Sequence, residues 1–385
     1  MMTGYQLKDA FYWNLHLPMF LLILLCSCNK SDDDPIPEPI STESKLQAII
    51  DKKVGDDKLV GVSVSIRIDE EEKWKLVGGL SRLNEPITDN MLFGIASITK
   101  TMVAAAILKL EEEGKLDLDD TIGDWLDLNS PNVAEGITIR QLLKHFSGLR
   151  NYFAGENLWP TLEGDLNSPI SPFDLVNFIG EPVFEPGERY EYSNSNYLIL
   201  GLIIEAVSGQ SVGLNFRNSL WAPFQINNIY FGDDEILPAP IAAAWRDRNG
   251  DGTLSDISGE YGPAYHSVFW TAADVFSTAS DLSLWAHHLY EGDVLTPLNK
   301  FKMKSFTVID DPIFTGYGLG IRRFQIAGRT LIGHTGGMRG YGSYMVYDPL
   351  KKITIVVLNN QSRSEDGPIL RHQLVQELLL ELLKL

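Results

Sequence analysis

Three short segments of this chain hold residue types that can transfer an acyl group: Ser97-Ile98-Thr99-Lys100, then Tyr192-Ser193-Asn194, then His334-Thr335-Gly336. Residues three apart on a helix share a face, so the Ser97 hydroxyl and the Lys100 amine can meet. A helix N-terminus at that point adds the positive end of the dipole and free N–H groups. This setting favours an unprotonated amine able to take the serine proton, and it offers a donor to a developing oxyanion. The spacing alone is unspecific, because a second Ser-x-x-Lys runs from Ser27 to Lys30. Context favours Ser97 over a plain N-cap serine: Phe93-Gly94-Ile95-Ala96 precedes it, and an apolar stripe follows at Met102, Val103, Ala106, Ile107 and Leu110.

Tyr192-Ser193-Asn194 follows Pro186-Gly187 and precedes a helical stretch. Locally it reads as a loop in which Asn194 or Ser195 caps that helix. The chemical reading gives the Tyr192 hydroxyl, lowered in pKa by a nearby ammonium, a share of the acid/base work with Lys100, and gives Asn194 the substrate amide. His334-Thr335-Gly336-Gly337 is placed just before a strand expected to start near Tyr341. Glycines there allow a substrate backbone to approach the sheet edge and pair with it. The Gly337 N–H then joins that of Ser97 as an oxyanion donor.

Three other patterns have simpler explanations. Gly209-Gln210-Ser211-Val212-Gly213 matches a nucleophile elbow, but that motif needs a preceding strand. The residues before it (Leu200, Ile203, Ile204, Val207) have helical spacing, which makes Ser211 an N-cap for the next helix. Asp247-Arg248-Asn249-Gly250-Asp251-Gly252 opens like a calcium loop, yet its twelfth position is Ser258 rather than Glu, so a hairpin turn is the commoner reading. His287 and His288 are adjacent in a helix and make a poor metal pair.

The elements that must position these residues are strands at both ends of the chain and helices between. Val60 to Ile68 and Lys73 to Val77 read as an N-terminal hairpin. Gly318 to Ile326, Tyr341 to Tyr347 and Ile353 to Leu358 read as three further strands, and Ile369 to Leu383 as a closing helix. Helices are expected from Ser97 to Glu113, from near Ile137, from Ser195 to Ser208 and from Ser280 to Tyr290. The expected fold is α+β: one antiparallel sheet assembled from both termini and flanked by helices, with a mainly helical lobe inserted over roughly residues 101–300.

A chain of 385 residues that is 44% hydrophobic has ample material for a core, and a net charge of −19 with no basic run argues against nucleic acid as a partner. Leu15 to Leu25 has the length of a signal-peptide apolar region and ends in Leu25-Cys26-Ser27-Cys28, which resembles a bacterial lipobox with Cys28 lipidated. The expected organisation is a lipoprotein signal over 1–28, a charged, Pro-rich tether over 29–45 and a folded domain over 46–385. Cys26 and Cys28 are the only cysteines, so the mature domain has neither a disulfide nor a thiol nucleophile. The expected place is the cell envelope, anchored by lipid to the outer membrane and facing the periplasm or the surface. The acidic stretch Asp32-Asp33-Asp34 resembles a surface-export signal of some Gram-negative lipoproteins.

Taken in order, these blocks resemble the serine β-lactamase and penicillin-binding DD-peptidase superfamily, on the class C β-lactamase branch that also holds D-aminopeptidases and esterases. The resemblance rests on Phe93 to Lys100, Ile137 to Leu149, Pro186-Gly187 with Tyr192-Ser193-Asn194, Ser277 to Leu282, and Gly333 to Gly337, and it runs from about Leu46 onward. It implies Ser97 as nucleophile, Lys100 and Tyr192 as general base and acid, Asn194 as substrate and lysine partner, and the Ser97 and Gly337 amides as the oxyanion hole. His334, Thr335 and Gly336 are the implied substrate-binding strand. No cofactor or metal is implied, and the partner is a small-molecule or peptide substrate, peptidoglycan fragments among them.

One departure matters. Efficient β-lactamases of this superfamily usually have Lys where this chain has His334, and an imidazole with a pKa near roughly 6.5 is mostly neutral at about pH 7. Arg339 is the candidate for the missing charge, with its direction open. This shifts the expectation from β-lactam hydrolysis towards peptidase, amidase or esterase activity, with carboxylate recognition by a protonated His334 at low pH as a corollary. The alternative is a penicillin- or muropeptide-binding sensor without turnover, separated from an enzyme by the fate of the acylated protein.

Overall fold

Small and β-branched residues alternate along Gly61–Ile68 (β1), so that Val62, Val64 and Ile66 face one side of a sheet and Ser63 and Ser65 the other. The apolar side packs against two helices from opposite ends of the chain, Thr42–Gly55 (α1) and Gly367–Leu382 (α7), through Leu46, Ile50, Leu374 and Leu378. On the other side the Ser65 hydroxyl meets that of Ser283 at 2.8 Å. In this computed structural model residues 40–55, 59–362 and 367–385 are described. The expected signal segment with Cys26 and Cys28, the Ser27–Lys30 pair and most of the tether lie outside the described residues. Since α1 starts at Thr42, the folded part begins within the stretch assigned to the tether.

Among the described residues nine strands form the main sheet, every pair antiparallel. Its order is Glu85–Pro86, Glu71–Arg82 (β2), β1, Ile353–Asn359 (β6), Tyr341–Asp348 (β5), Arg329–Met338 (β4), Arg322–Ile326 (β3), Gly316–Tyr317 and Thr307–Val308. Thus β1 lies beside β6, with Val64 opposite Val357, and the sheet joins the two ends of the chain as expected. The extent of β4 was not anticipated. Its three glycines have weak β preference, and it is defined instead by pairing with β5 along Ile332–Met338 and with β3 along Arg329–Gly333. His334 to Gly337 therefore lie inside a ten-residue strand and not before one.

The second face of the sheet is covered by the helical lobe. Thr99–Glu112 (α2) and Ser195–Ser208 (α4) are apolar and buried on nearly every side, because they pack against each other and against Pro263–Ala273 (α5), while Ala279–Tyr290 (α6) lies directly on β1, β5 and β6. The helix Ile139–Lys144 (α3) opens on a capping box: the Thr138 hydroxyl accepts from the Gln141 amide at 3.2 Å, and the Gln141 side chain accepts from the Thr138 amide at 2.9 Å. It ends at His145, held in the left-handed region at φ 60°. Ser211 accepts from the Leu214 amide and caps the following helix, as its context indicated. The Asp247 segment is the turn of a hairpin, Trp245–Asp247 against Leu254–Asp256, with the Asp247 carboxylate accepting from the Asn249, Gly250 and Gly252 amides. Among the described residues no single helix is long and apolar enough to cross a membrane.

Candidate active site

Ser97 sits in a single 3-10 turn, Ala96–Ile98, between the short strand Phe93–Gly94 and α2. Ala96 just before it has φ 51°, a conformation that costs an L-residue on the order of 1–3 kcal/mol unless its surroundings impose it. They do so from two sides: the Ile95 amide donates to the Val275 carbonyl at 2.8 Å, and the Ser343 hydroxyl on β5 donates to the Ile95 carbonyl at 2.6 Å. The close approach of this turn to the sheet requires Gly336. A Cβ there would stand 2.2 Å from Ser343 Oγ and 2.3 Å from the Ile95 carbonyl oxygen.

Lys100, one turn into α2, is fully buried. Its Nζ lies 2.8 Å from Asn194 Oδ1, 2.6 Å from the Ala272 carbonyl oxygen and 3.2 Å from Ser97 Oγ. The Ala272 carbonyl is free to accept because it lies at the end of α5, past the break at Trp270 (φ 30°, ψ −131°), where carbonyls lack helical partners. Burial, reinforced by the charge of Arg322, holds the Lys100 pKa well below the ordinary lysine value. A neutral amine has two hydrogens and one lone pair. In that form the two carbonyl oxygens can take the hydrogens, which would leave the lone pair for the Ser97 hydroxyl.

Tyr192 lines the same cleft as Ser97. Its buried hydroxyl has no partner at full hydrogen-bonding geometry among the described residues, although Ser97 lies near enough to lower its pKa. Burial outweighs both that effect and the charge of Arg322, so the phenol pKa is raised. This corrects the expectation of a lowered one: Tyr192 is a neutral phenol. Asn194 is the N-cap residue of α4, but its side chain makes no capping bond and is turned to Lys100 instead.

The sheet wall of the cleft is the edge of β4. Because β3 pairs with β4 only as far as Arg322 opposite Gly333, the edge from His334 to Met338 has no strand beside it on that side among the described residues. Thr335, Gly336 and Gly337 line a cleft of about 300 Å³ together with Ser97, Tyr192 and Arg322. Gly337 is exposed, and a Cβ there would meet nothing within 4 Å.

His334 does not face this cleft and is not the substrate cation. It is fully buried, and desolvation plus the charges of Arg322 and Lys100 hold its pKa well below the ordinary value. It belongs to a chain of neutral groups whose direction follows from donor counting. His145 Nδ1 accepts from the Ser193 amide at 3.2 Å and from Asn196 Nδ2 at 2.8 Å, so its proton is on Nε2, 3.1 Å from the Tyr317 hydroxyl. Tyr317 in turn donates to His334 Nε2 at 3.2 Å, and His334 Nδ1 donates to the Thr335 carbonyl at 2.6 Å. His334 and His145 thus fasten the second segment to the third from behind the site.

Asp311 and two arginines, Arg371 and Arg322, also line the cleft, and the sequence reasoning missed both arginines; the one beside β4 is Arg322. Its guanidinium bonds the Thr335 hydroxyl and lies 5.3 Å from the Tyr192 ring centroid and 4.3 Å from that of Phe314. It forms no ion pair among the described residues, and its Nε is buried without a hydrogen-bond partner. The signal was register: had β4 been recognised, the turn at Ala327-Gly328 would have set Arg322 opposite Gly333, beside His334. Arg339 points elsewhere, pairing with Glu163 at 2.9 Å over the Trp159 ring. A serine next to a buried amine, an unspent phenol, an open strand edge and an unpaired guanidinium together suit acyl transfer from an anionic substrate.

Comparison with known proteins agrees with this chemistry. The model of the Beta-lactamase family matches residues 46–379. Penicillin-binding protein 4* of Bacillus subtilis (strain 168) is 27% identical over 299 residues, covering 73% of this chain and 63% of that protein. Protein flp of Staphylococcus aureus (strain NCTC 8325 / PS 47) is 27% identical over 292 residues, covering 73% of this chain and 55% of that protein. The chain thus spans less than two thirds of the length of either relative. Among solved structures, D-amino acid amidase from Ochrobactrum anthropi SV3, complexed with L-phenylalanine amide, superposes with a TM-score of 0.79 at 26% identity, covering 89% of this chain and 99% of that one. A D-stereospecific amidohydrolase from Streptomyces sp. gives 0.73 at 26% identity, over 85% and 97%.

Proposed function

The chain belongs to the Beta-lactamase family, and from that premise we propose that it is an exported serine hydrolase forming an acyl-enzyme on Ser97 with D-peptide-type amides whose leaving group ends in a free carboxylate. The observation that carries this reading is that Ser97 and the unpaired Arg322 line one cleft. The family supports the reaction type. The likeness to two enzymes named for D-substrates supports the stereochemistry.

In the proposed reaction the neutral Lys100 amine takes the Ser97 proton as Oγ attacks the substrate carbonyl. The Ser97 and Gly337 N–H groups receive the oxyanion. Tyr192, a neutral phenol, protonates the leaving nitrogen as the C–N bond breaks and recovers its proton from the Lys100 ammonium. Asn194 and the Ala272 carbonyl hold the lysine through both states. Water then attacks the ester with Lys100 again as base, and the acid product leaves with Ser97 restored. Because Tyr192 and Arg322 are in contact, the leaving group occupies the Arg322 end of β4, with its carboxylate on Arg322 and Thr335.

A turnover panel tests the substrate class: an N-acyl D-Ala-D-Ala peptide, the same peptide with its C-terminus amidated, a D-amino acid amide, nitrocefin and a p-nitrophenyl ester. The free-acid peptide is expected to show the highest kcat/KM, with amidation costing at least about 10-fold, mainly in KM. Equal or better turnover of the amidated peptide contradicts the assignment of Arg322. The proposal extends to export and lipidation at Cys28 with outer-membrane attachment. Labelling with an alkyne fatty acid should occur in the full chain and vanish in Cys28→Ala.

A further inference from the structure

The free edge of β4 has an arginine at each end, and the second end opens on a cavity that the proposed reaction does not use. In the turn just past the end of β4 at Met338, Arg339 reaches a cavity of about 390 Å³ lined also by Arg246, Arg248, Tyr265, Glu163 and Glu260. Arg246 and Arg248 are brought there by the hairpin whose turn Asp247 caps. Parallel pairing of Ser362 with Arg246, and the bond from the Gly340 amide to the Ser362 hydroxyl, join that hairpin to the end of β4.

The charges in this cavity do not balance. Arg339 pairs with Glu163 and Arg248 with Glu260, whereas Arg246 has neither a carboxylate nor a hydrogen-bond partner for its side chain among the described residues. Three guanidinium groups against two carboxylates leave one positive charge uncompensated. The Tyr265 hydroxyl, fully buried, has no partner at full hydrogen-bonding geometry among the described residues, although Tyr261 lies near enough to act on its pKa. Its neighbour Tyr261 gives its only proton to the Arg339 carbonyl, and no acceptor among the described residues takes the Tyr265 proton at full hydrogen-bonding geometry. A buried unused donor beside an unpaired cation suits a single carboxylate.

We propose that this cavity is an acyl-side subsite that binds a carboxylate carried by the substrate on the side of the scissile bond opposite Arg322, with Arg246 and Tyr265 as its primary partners and Arg339 at its mouth. The assignment of this end to the acyl side rests on the reading that places the leaving group at Arg322. The preferred substrate is then a peptide with a carboxylate at both ends of the β4 edge.

Binding to full-length Ser97→Ala protein tests this without turnover. The probes are succinyl-D-Ala-D-Ala and butanoyl-D-Ala-D-Ala, which differ by the acyl-side carboxylate. The succinyl peptide should bind ~10-fold tighter at low salt, the effect of one charge-assisted hydrogen bond in a partly buried site. In the Ser97→Ala background, Arg246→Gln should reduce that ratio to within ~2-fold and Arg246→Lys should retain most of it. Equal affinities for the two peptides, or a ratio that survives both Arg246→Gln and Arg339→Gln, overturn the subsite. A retained ratio in a protein whose wild type hydrolyses neither peptide upholds the subsite and overturns the hydrolase reading instead.

Discussion

The two walls of the cleft differ in how their polar groups are used. On the helical wall Lys100 is fully buried and its amine is matched by two carbonyl oxygens and the Ser97 hydroxyl, while the turn before Ser97 is tied to two sheets. On the sheet wall the edge from His334 to Met338 lacks a neighbouring strand, and Arg322 has no ion pair among the described residues. The first wall is preorganised, with little left to rearrange when charge develops. The second holds its binding capacity unspent for a ligand. Damage to the helical wall should therefore appear in kcat, and damage to the sheet wall in KM and in substrate preference.

The largest effect is expected on the helical wall. Ser97→Ala should lower kcat by at least about 10⁴-fold and Lys100→Met by about 10³-fold to 10⁴-fold, with KM little changed. A Lys100→Met enzyme that loses KM and keeps kcat would reverse the division between the walls. The pH profile sharpens the same point. Because the Lys100 pKa is depressed, its amine is unprotonated above that lowered value and activity is lost as pH falls through it. The acid limb of kcat/KM should lie well below about 10.4, the ordinary lysine value.

On the sheet wall, Arg322→Gln should raise KM for a peptide with a free terminal carboxylate by about 10-fold to 100-fold and change that for a neutral ester by less than about 3-fold. Equal losses for both substrates would show that Arg322 supports the wall and does not bind the ligand. Gly336→Ala lies where the walls touch. The added Cβ must displace Ser343 or the Ile95 carbonyl, and a loss of about 1–3 kcal/mol in unfolding free energy is expected along with reduced kcat.

The smallest effect concerns the imidazoles behind the site. His145 and His334 have folded-state pKa values held well below the ordinary one, chiefly by burial, so below about pH 6.5 the unfolded chain binds protons that the folded one does not. Stability from these two groups is fully present above that pH and is lost below it, by up to about 1.4 kcal/mol per imidazole per pH unit. Denaturant midpoints measured from pH 7 to pH 5 check this against a His145→Asn, His334→Asn double variant, whose slope should be shallower.

What the sequence made legible follows from the range of the interactions involved. The Ser97–Lys100 pair and the cap at Ser211 are local, and spacing together with the flanking residues was enough to place them. The sheet assembled from both termini was visible from two groups of apolar strands. By contrast β4 is held by its neighbours and not by its own residues, so its extent, the inward turn of His334 and the placement of Arg322 were all missed together. The pKa of Tyr192 was misjudged for a related reason: a nearby cation can be guessed from a motif, whereas complete burial depends on the whole lobe.

The central claim is that Ser97 carries the acyl group. Mixing the protein with a slowly deacylating D-peptide thioester or a fluorescent penicillin, quenching in acid and mapping the adduct by peptide mass spectrometry tests it directly. The expected result is one acyl group per chain on the peptide containing Ser97, absent from Ser97→Ala and released over time in the wild type. An adduct that persists in Ser97→Ala, or steady hydrolysis of the thioester by that variant, contradicts it.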